Sequence, residues 1–154
     1  DVCSSDLVNL QGDLPIFEKE LIKKTAALFL DKKTEISSAV CDLESSEIND
    51  KNIVKTNVQL DKKNEGFAKD FLRSINTKVN HYHHIGLYIY SPISLKKFVN
   101  LSQTDNEIDR SLEQMRAIDN GINIKVVKLK SNPPSVDTLE DLKKIRLLFK
   151  NINT

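Results

Sequence analysis

Three short segments carry side chains able to do chemistry where a strand ends or a helix begins. These are the places at which open α/β sheets present ligand sites. Gln11-Gly12-Asp13 follows the apolar Val8-Asn9-Leu10, and a carboxylate just past a strand can hold a hard divalent cation without flexing. Val136-Asp137-Thr138 precedes the last helical run and offers a second such carboxylate. His84 opens an apolar strand, and Ser111-Leu112-Glu113-Gln114-Met115-Arg116 adds an acid, an amide and a base in one stretch. Taken alone each segment is a weak signal, since turn aspartates are usually caps. His81, His83 and His84 cluster, but no cysteine or further ligand stands near them, so a transition-metal site is not expected.

The elements that must position these groups alternate along the chain. Val8-Asn9-Leu10 reads as the end of a buried strand. Pro15 opens a helical run with Ile16, Leu21, Ile22 and Leu28 near helical spacing. Strands are expected over residues 36–41, 52–60, 66–72, 84–90 and 122–129. Pro92 starts a short helix through Phe98. Residues 107–120 read as one helix, with Ile108, Leu112, Met115 and Ile118 on a stripe and Gly121 as a left-handed cap. Asn132-Pro133-Pro134 is a loop, since consecutive prolines cannot continue a ladder. Thr138 with Asp141 forms a capping box for a final helix through about Leu148. Strands alternating with helices imply an α/β fold.

In this order the segments VNLQGDLP, HHIGLYIY, SLEQMRAIDNG and VDTLEDL resemble the 3-deoxy-manno-octulosonate (Kdo) cytidylyltransferases, with support from Asn52, Val54-Lys55 and Phe71-x-Arg73. The resemblance runs from Val8 to about Leu148. It implies a Rossmann-like nucleotide-sugar transferase fold, and an enzyme that joins CTP to Kdo, releases pyrophosphate, needs magnesium and works as a homodimer in lipopolysaccharide biosynthesis. It further implies that Asp13 and Asp137 are the catalytic, magnesium-binding aspartates. Gln11, Arg73, His84, Glu113 and Gln114 would bind substrate, with Arg73 meeting the sugar carboxylate. A related sugar acid as substrate, or a non-catalytic fragment, is the alternative. Leu14 and Arg110 stand where the family has acidic residues. The family's amino-terminal strand and basic Gly-containing triphosphate loop do not occur, so the chain is expected to be a carboxyl-terminal fragment, truncated at its amino terminus and inactive alone.

Composition bounds the rest. A hydrophobic share of 39% and a charged share of 29% place the chain among globular proteins. Lys plus Arg number 23 against 22 Asp plus Glu, and this balance argues against nucleic acid or an anionic membrane as main partner. Two cysteines, Cys3 and Cys41, exclude a disulfide framework and fit a reducing cytoplasm. Residues 1–7 spell the translation of a common sequencing adapter and are expected to lie outside the domain, which would occupy residues 8–154.

Overall fold

A computed structural model describes residues 6–130, 132–136 and 138–152. Its six strands are β1 (Leu7–Leu10), β2 (Ile36–Cys41), β3 (Lys55–Val58), β4 (Glu65–Leu72), β5 (His81–Tyr90) and β6 (Ile124–Lys128). Its helices are α1 (Lys19–Ala27), α2 (Pro92–Val99), α3 (Asp105–Arg110), α4 (Gln114–Asp119) and α5 (Leu139–Ile152). The sheet order is β1-β5-β2-β6-β4-β3, with β3 also pairing β5, so β5, β2, β6, β4 and β3 close into a circuit. Among the described residues only β2 and β6 pair in parallel; the other pairings are antiparallel.

Both faces of the sheet are covered, which is why β2 is buried at every position. Alternate residues point to opposite faces. Ile36 and Val40 join Tyr88, Tyr90, Phe98, Met115 and Ile122 in one cluster, while Ala39 and Cys41 join Leu21, Leu28, Ile85 and Leu87 in the other. Leu14 also belongs to the second cluster, 6% exposed, so an apolar residue at this position serves packing.

Several expectations are corrected. The strand at Val8 is not buried: Leu7 and Val8 are 48% and 44% exposed, because β1 pairs with β5 alone and lies at the sheet margin. Leu7 of β1 opposes Tyr90 of β5, and residues 1–5 lie outside the described residues. Pro15 does not open a helix, since α1 starts only at Lys19. The helix over 107–120 is two helices. Ser111 adopts φ 52°, its N–H reaches the Ile108 carbonyl at 3.3 Å, and the Leu112 N–H reaches the Glu107 carbonyl at 3.1 Å. That is a Schellman closure with serine in the position glycine usually takes. It leaves Ile108 59% exposed while Leu112 and Met115 enter the core. At Gly121, φ 68°, the left-handed cap is found where it was expected. Thr138 and Asp141 make the reciprocal capping bonds, at 3.0 Å and 3.2 Å. No helix among the described residues is long and apolar enough to cross a membrane.

Candidate functional site

Two strands share one edge of β5 at its opposite ends. Leu7–Leu10 runs beside Tyr90–Leu87, and Lys55–Asn57 runs beside His83–His81. The last bonds on each side are Gln11 N–H to the Gly86 carbonyl at 3.1 Å and His84 N–H to the Val54 carbonyl at 2.9 Å. Past these the two chains splay apart, and a cleft opens between them. It has two lobes, of about 290 Å³ and 400 Å³, which share Gln11, Asp13, Asn52, Val54 and His84 as walls.

The larger lobe is lined by Gln11, Asp13, Arg73, His84, Glu113 and Gln114 together, so six of the seven candidate residues meet. The seventh, Asp137, lies outside the described residues. Its neighbour Val136 donates its N–H to the Asp13 carbonyl at 2.9 Å, which ties that loop to the turn after β1. Ser135, Thr138 and Asp141 line the smaller lobe.

Gly86 decides where Gln11 lies. A Cβ at position 86 would stand 2.1 Å from the Gln11 Oε1, so the carboxamide occupies the space a side chain would fill. A glycine inside the apolar run of β5 was a visible signal of close approach that the motif reading passed over. Gly86→Ala should displace the Gln11 side chain while changing stability by no more than about 1 kcal/mol. NMR of the Gln11 side-chain amide against the β5 backbone amides checks this; unmoved Gln11 signals would count against it.

His84 is 8% exposed, and its ring lies 5.3 Å from Phe71 edge-on and 5.2 Å from Tyr88. Burial drives its pKa down from 6.5 to about 3, so the ring is neutral. Burial likewise pushes the Tyr88 hydroxyl up, and that phenol stays protonated.

Glu113 stands at the rim, 66% exposed, 3.5 Å from Arg116. Arg116 itself is not the exposed partner that its spacing suggests. Its Nε and Nη2 bind the two oxygens of Glu107 at 2.7 Å and 2.5 Å, and its guanidinium lies 4.9 Å above the Phe98 ring centre. The Glu107–Arg116 pair therefore fixes α4 against α3 and sets where Glu113 projects.

Arg73 lines the larger lobe and is held by backbone. It donates to the carbonyls of Arg110 at 3.0 Å, Lys51 at 2.9 Å and Ser111 at 2.9 Å. Three of its N–H groups are thus spent on the cleft wall. Below it the fully buried Lys55 donates to the carbonyls of Asp50 and, at 2.9 Å, of Arg73 itself. Burial lowers the Lys55 pKa. The two cations form a clamp that grips backbone rather than side chains.

His81 and His83 have protein partners on both ring nitrogens. Val79 carbonyl (2.8 Å) and Asn57 (3.0 Å) engage His81; Glu47 (3.0 Å) and Asn132 (3.3 Å) engage His83. Among the described residues no group of three or more His, Cys, Asp or Glu side chains could hold a metal.

The model of the cytidylyltransferase family matches residues 3–129. The chain is 36% identical over 149 residues to a 3-deoxy-manno-octulosonate cytidylyltransferase of Paramagnetospirillum magneticum, covering 94% of this chain and 60% of that protein. A protein of the same name from Rickettsia rickettsii is 33% identical, covering 96% and 60%. The chain therefore spans about 60% of the length of these relatives. A solved CMP:2-keto-3-deoxy-manno-octonic acid synthetase complexed with CTP superposes with a TM-score of 0.81 at 27% identity, over 95% of this chain and 62% of that one. UDP-glucose pyrophosphorylase, at a TM-score of 0.69 and 11% identity over 99% of this chain and 57% of that one, shares the fold alone. The Rossmann-like nucleotidyltransferase fold is shown by these likenesses.

Proposed function

The chain belongs to the cytidylyltransferase family, and from that membership we propose that it is part of an enzyme transferring CMP from CTP to Kdo with release of pyrophosphate. The observation that carries the reading is the 400 Å³ lobe, where Gln11, Asp13, Arg73, His84, Glu113 and Gln114 converge from four separate segments. The names of its relatives supply the sugar and the nucleotide.

In the proposed reaction the anomeric hydroxyl oxygen of Kdo bonds to the α-phosphorus of CTP as the bond from that phosphorus to pyrophosphate breaks, and the hydroxyl loses its proton. Positioning and electrostatics carry such transfers. Glu113 accepts from sugar hydroxyls, Gln114 and Gln11 donate and accept, and the neutral His84 adds a polar contact without charge. Arg73 supplies positive potential for the sugar carboxylate from a fixed guanidinium. Magnesium takes one or two carboxylates, phosphate oxygens and water, and the oxygen donors of Asp13 and its surroundings fit that preference. Asp13 and Asp137 would hold it, and when bound it offsets negative charge on the phosphates.

A cytoplasmic setting accords with the free, buried Cys41, whose thiol burial pushes up to about 12. Leu147, Leu148 and Phe149 on α5, 62%, 44% and 43% exposed, offer apolar surface to a homodimer.

Titration of the ¹⁵N-labelled chain with Kdo should perturb Gln11, His84, Glu113 and Gln114, and neutral mannose should not. Glu113→Gln should weaken Kdo binding about tenfold, the loss of one charge-assisted bond. Kdo that leaves these four residues unmoved at millimolar concentration overturns the reading.

A further inference from the structure

Beyond the candidate residues, one buried hydroxyl touches the cleft's central side chain. Ser38 is fully buried on β2, and its Oγ lies 2.9 Å from the His84 Nε2 and 3.4 Å from the Ile85 carbonyl oxygen. The contact exists because β2 and β5 change register at this point. Ser38 opposes Tyr88 while the next residue, Ala39, opposes Ile85, so β5 bulges over Gly86 and Leu87. Bulges beside functional sites re-aim side chains, and here the bulge turns the β5 backbone and the His84 ring toward the same hydroxyl.

A hydroxyl has one proton to give. The Ile85 carbonyl can only accept. A neutral imidazole nitrogen can do either, according to its tautomer. If Ser38 donates to Ile85, it accepts from a protonated Nε2, and all three groups are satisfied. If Ser38 donates to Nε2 instead, its 3.4 Å bond to the Ile85 oxygen is given up. No protein group among the described residues pairs with Nδ1, and the ring lines both lobes of the cleft. The ring's neutrality, which burial enforces, makes the tautomer the deciding variable.

We propose that Ser38 is a positioning residue that fixes His84 as the Nε2–H tautomer, so that Nδ1 presents a lone pair to the cleft and accepts from a hydroxyl of the ligand. A lone pair at that point repels carboxylate and phosphate oxygens. An anionic sugar acid must then enter with a hydroxyl toward His84 and its carboxylate toward Arg73, and this sets its orientation. The ligand's identity rests on the reading of the cleft given above; the tautomer does not.

The test is ¹⁵N NMR of the histidine-labelled chain. His84 is identified by comparison with His81→Gln and His83→Gln. The parent should show Nε2 as the protonated, pyrrole-type nitrogen and Nδ1 as the pyridine-type one. Ser38→Thr, which keeps the hydroxyl, should preserve that pattern. Ser38→Ala should shift population toward Nδ1–H and weaken Kdo binding about fivefold to tenfold. A parent carrying its proton on Nδ1, or an Ala variant with the parent's pattern, overturns the proposal. Kdo should move the Nδ1 signal more than Nε2. If the tautomer is as stated and Kdo moves neither, the sugar-acid reading of the cleft falls while the role of Ser38 stands.

Discussion

Asp13→Asn should lower CMP transfer by about 100-fold or more in the catalytically competent protein carrying this chain, with little change in melting temperature. The magnitude is that of removing one preorganised electrostatic group from a reacting centre. Asparagine keeps the size of the side chain and suits the turn closed by Leu14 N–H on the Gln11 carbonyl, 3.2 Å, so the backbone has no reason to move. The charge, in contrast, is lost beside phosphates that carry several negative charges of their own. The magnesium concentration for half-maximal rate should rise as well, because magnesium holds its waters tightly and takes few protein ligands. A steady-state series over magnesium separates the effects. A rate within about twofold of the parent at saturating magnesium would leave Asp13 as a turn residue only.

Arg116→Gln should cost about 2–3 kcal/mol of folding stability near neutral pH, because it leaves the Glu107 carboxylate 5% exposed with its bidentate partner gone. The same pair sets an acid dependence. The bonds from Arg116, with help from Gln103 and Thr104, hold the Glu107 pKa at about 2 against an ordinary 4.5. A carboxyl whose folded pKa is depressed favours the folded state fully above its unfolded pKa. That contribution is therefore complete above 4.5 and is lost as pH falls from 4.5 toward 2. Urea midpoints should fall steeply for the parent across this window and much less for the variant, so the two should converge in acid. Parallel curves would show that the pair contributes nothing. Because Arg116 also sits 3.5 Å from Glu113, the variant should bind Kdo more weakly even where it is fully folded.

Much of the frame was legible in the residues themselves. The run over 36–41 is β2 to the residue, since an apolar and small-residue stretch of that length fits only a strand covered on both faces. Gly121 and the Thr138–Asp141 box were found because their chemistry is local. The six described candidate residues converge although no spacing between Asp13, Arg73 and Glu113 predicts it; the resemblance brought them together, and β5 explains how. The break at Ser111 was not legible. Its apolar stripe keeps helical spacing straight through, and a left-handed serine leaves no mark in composition. The exposure of β1 was hidden for a different reason, since a strand's burial depends on neighbours that its own residues do not name. The three backbone carbonyls that hold Arg73 were not legible either, because guanidinium suits carbonyls as well as carboxylates.

The Arg73–Lys55 clamp bears on how such a protein can vary. Its acceptors are the carbonyls of Asp50, Lys51, Arg73, Arg110 and Ser111, and every amino acid carries a carbonyl. The grip is indifferent to the side chains at the positions it holds. Substitution at residue 51 leaves these bonds in place, whereas Asp50 and Arg110 add side-chain bonds of their own, to the Asn52 N–H at 2.9 Å and to Asp70 at 2.5 Å. The two donors have no comparable freedom. The outline of the cleft thus rests on two donors and on main-chain oxygens that any sequence supplies.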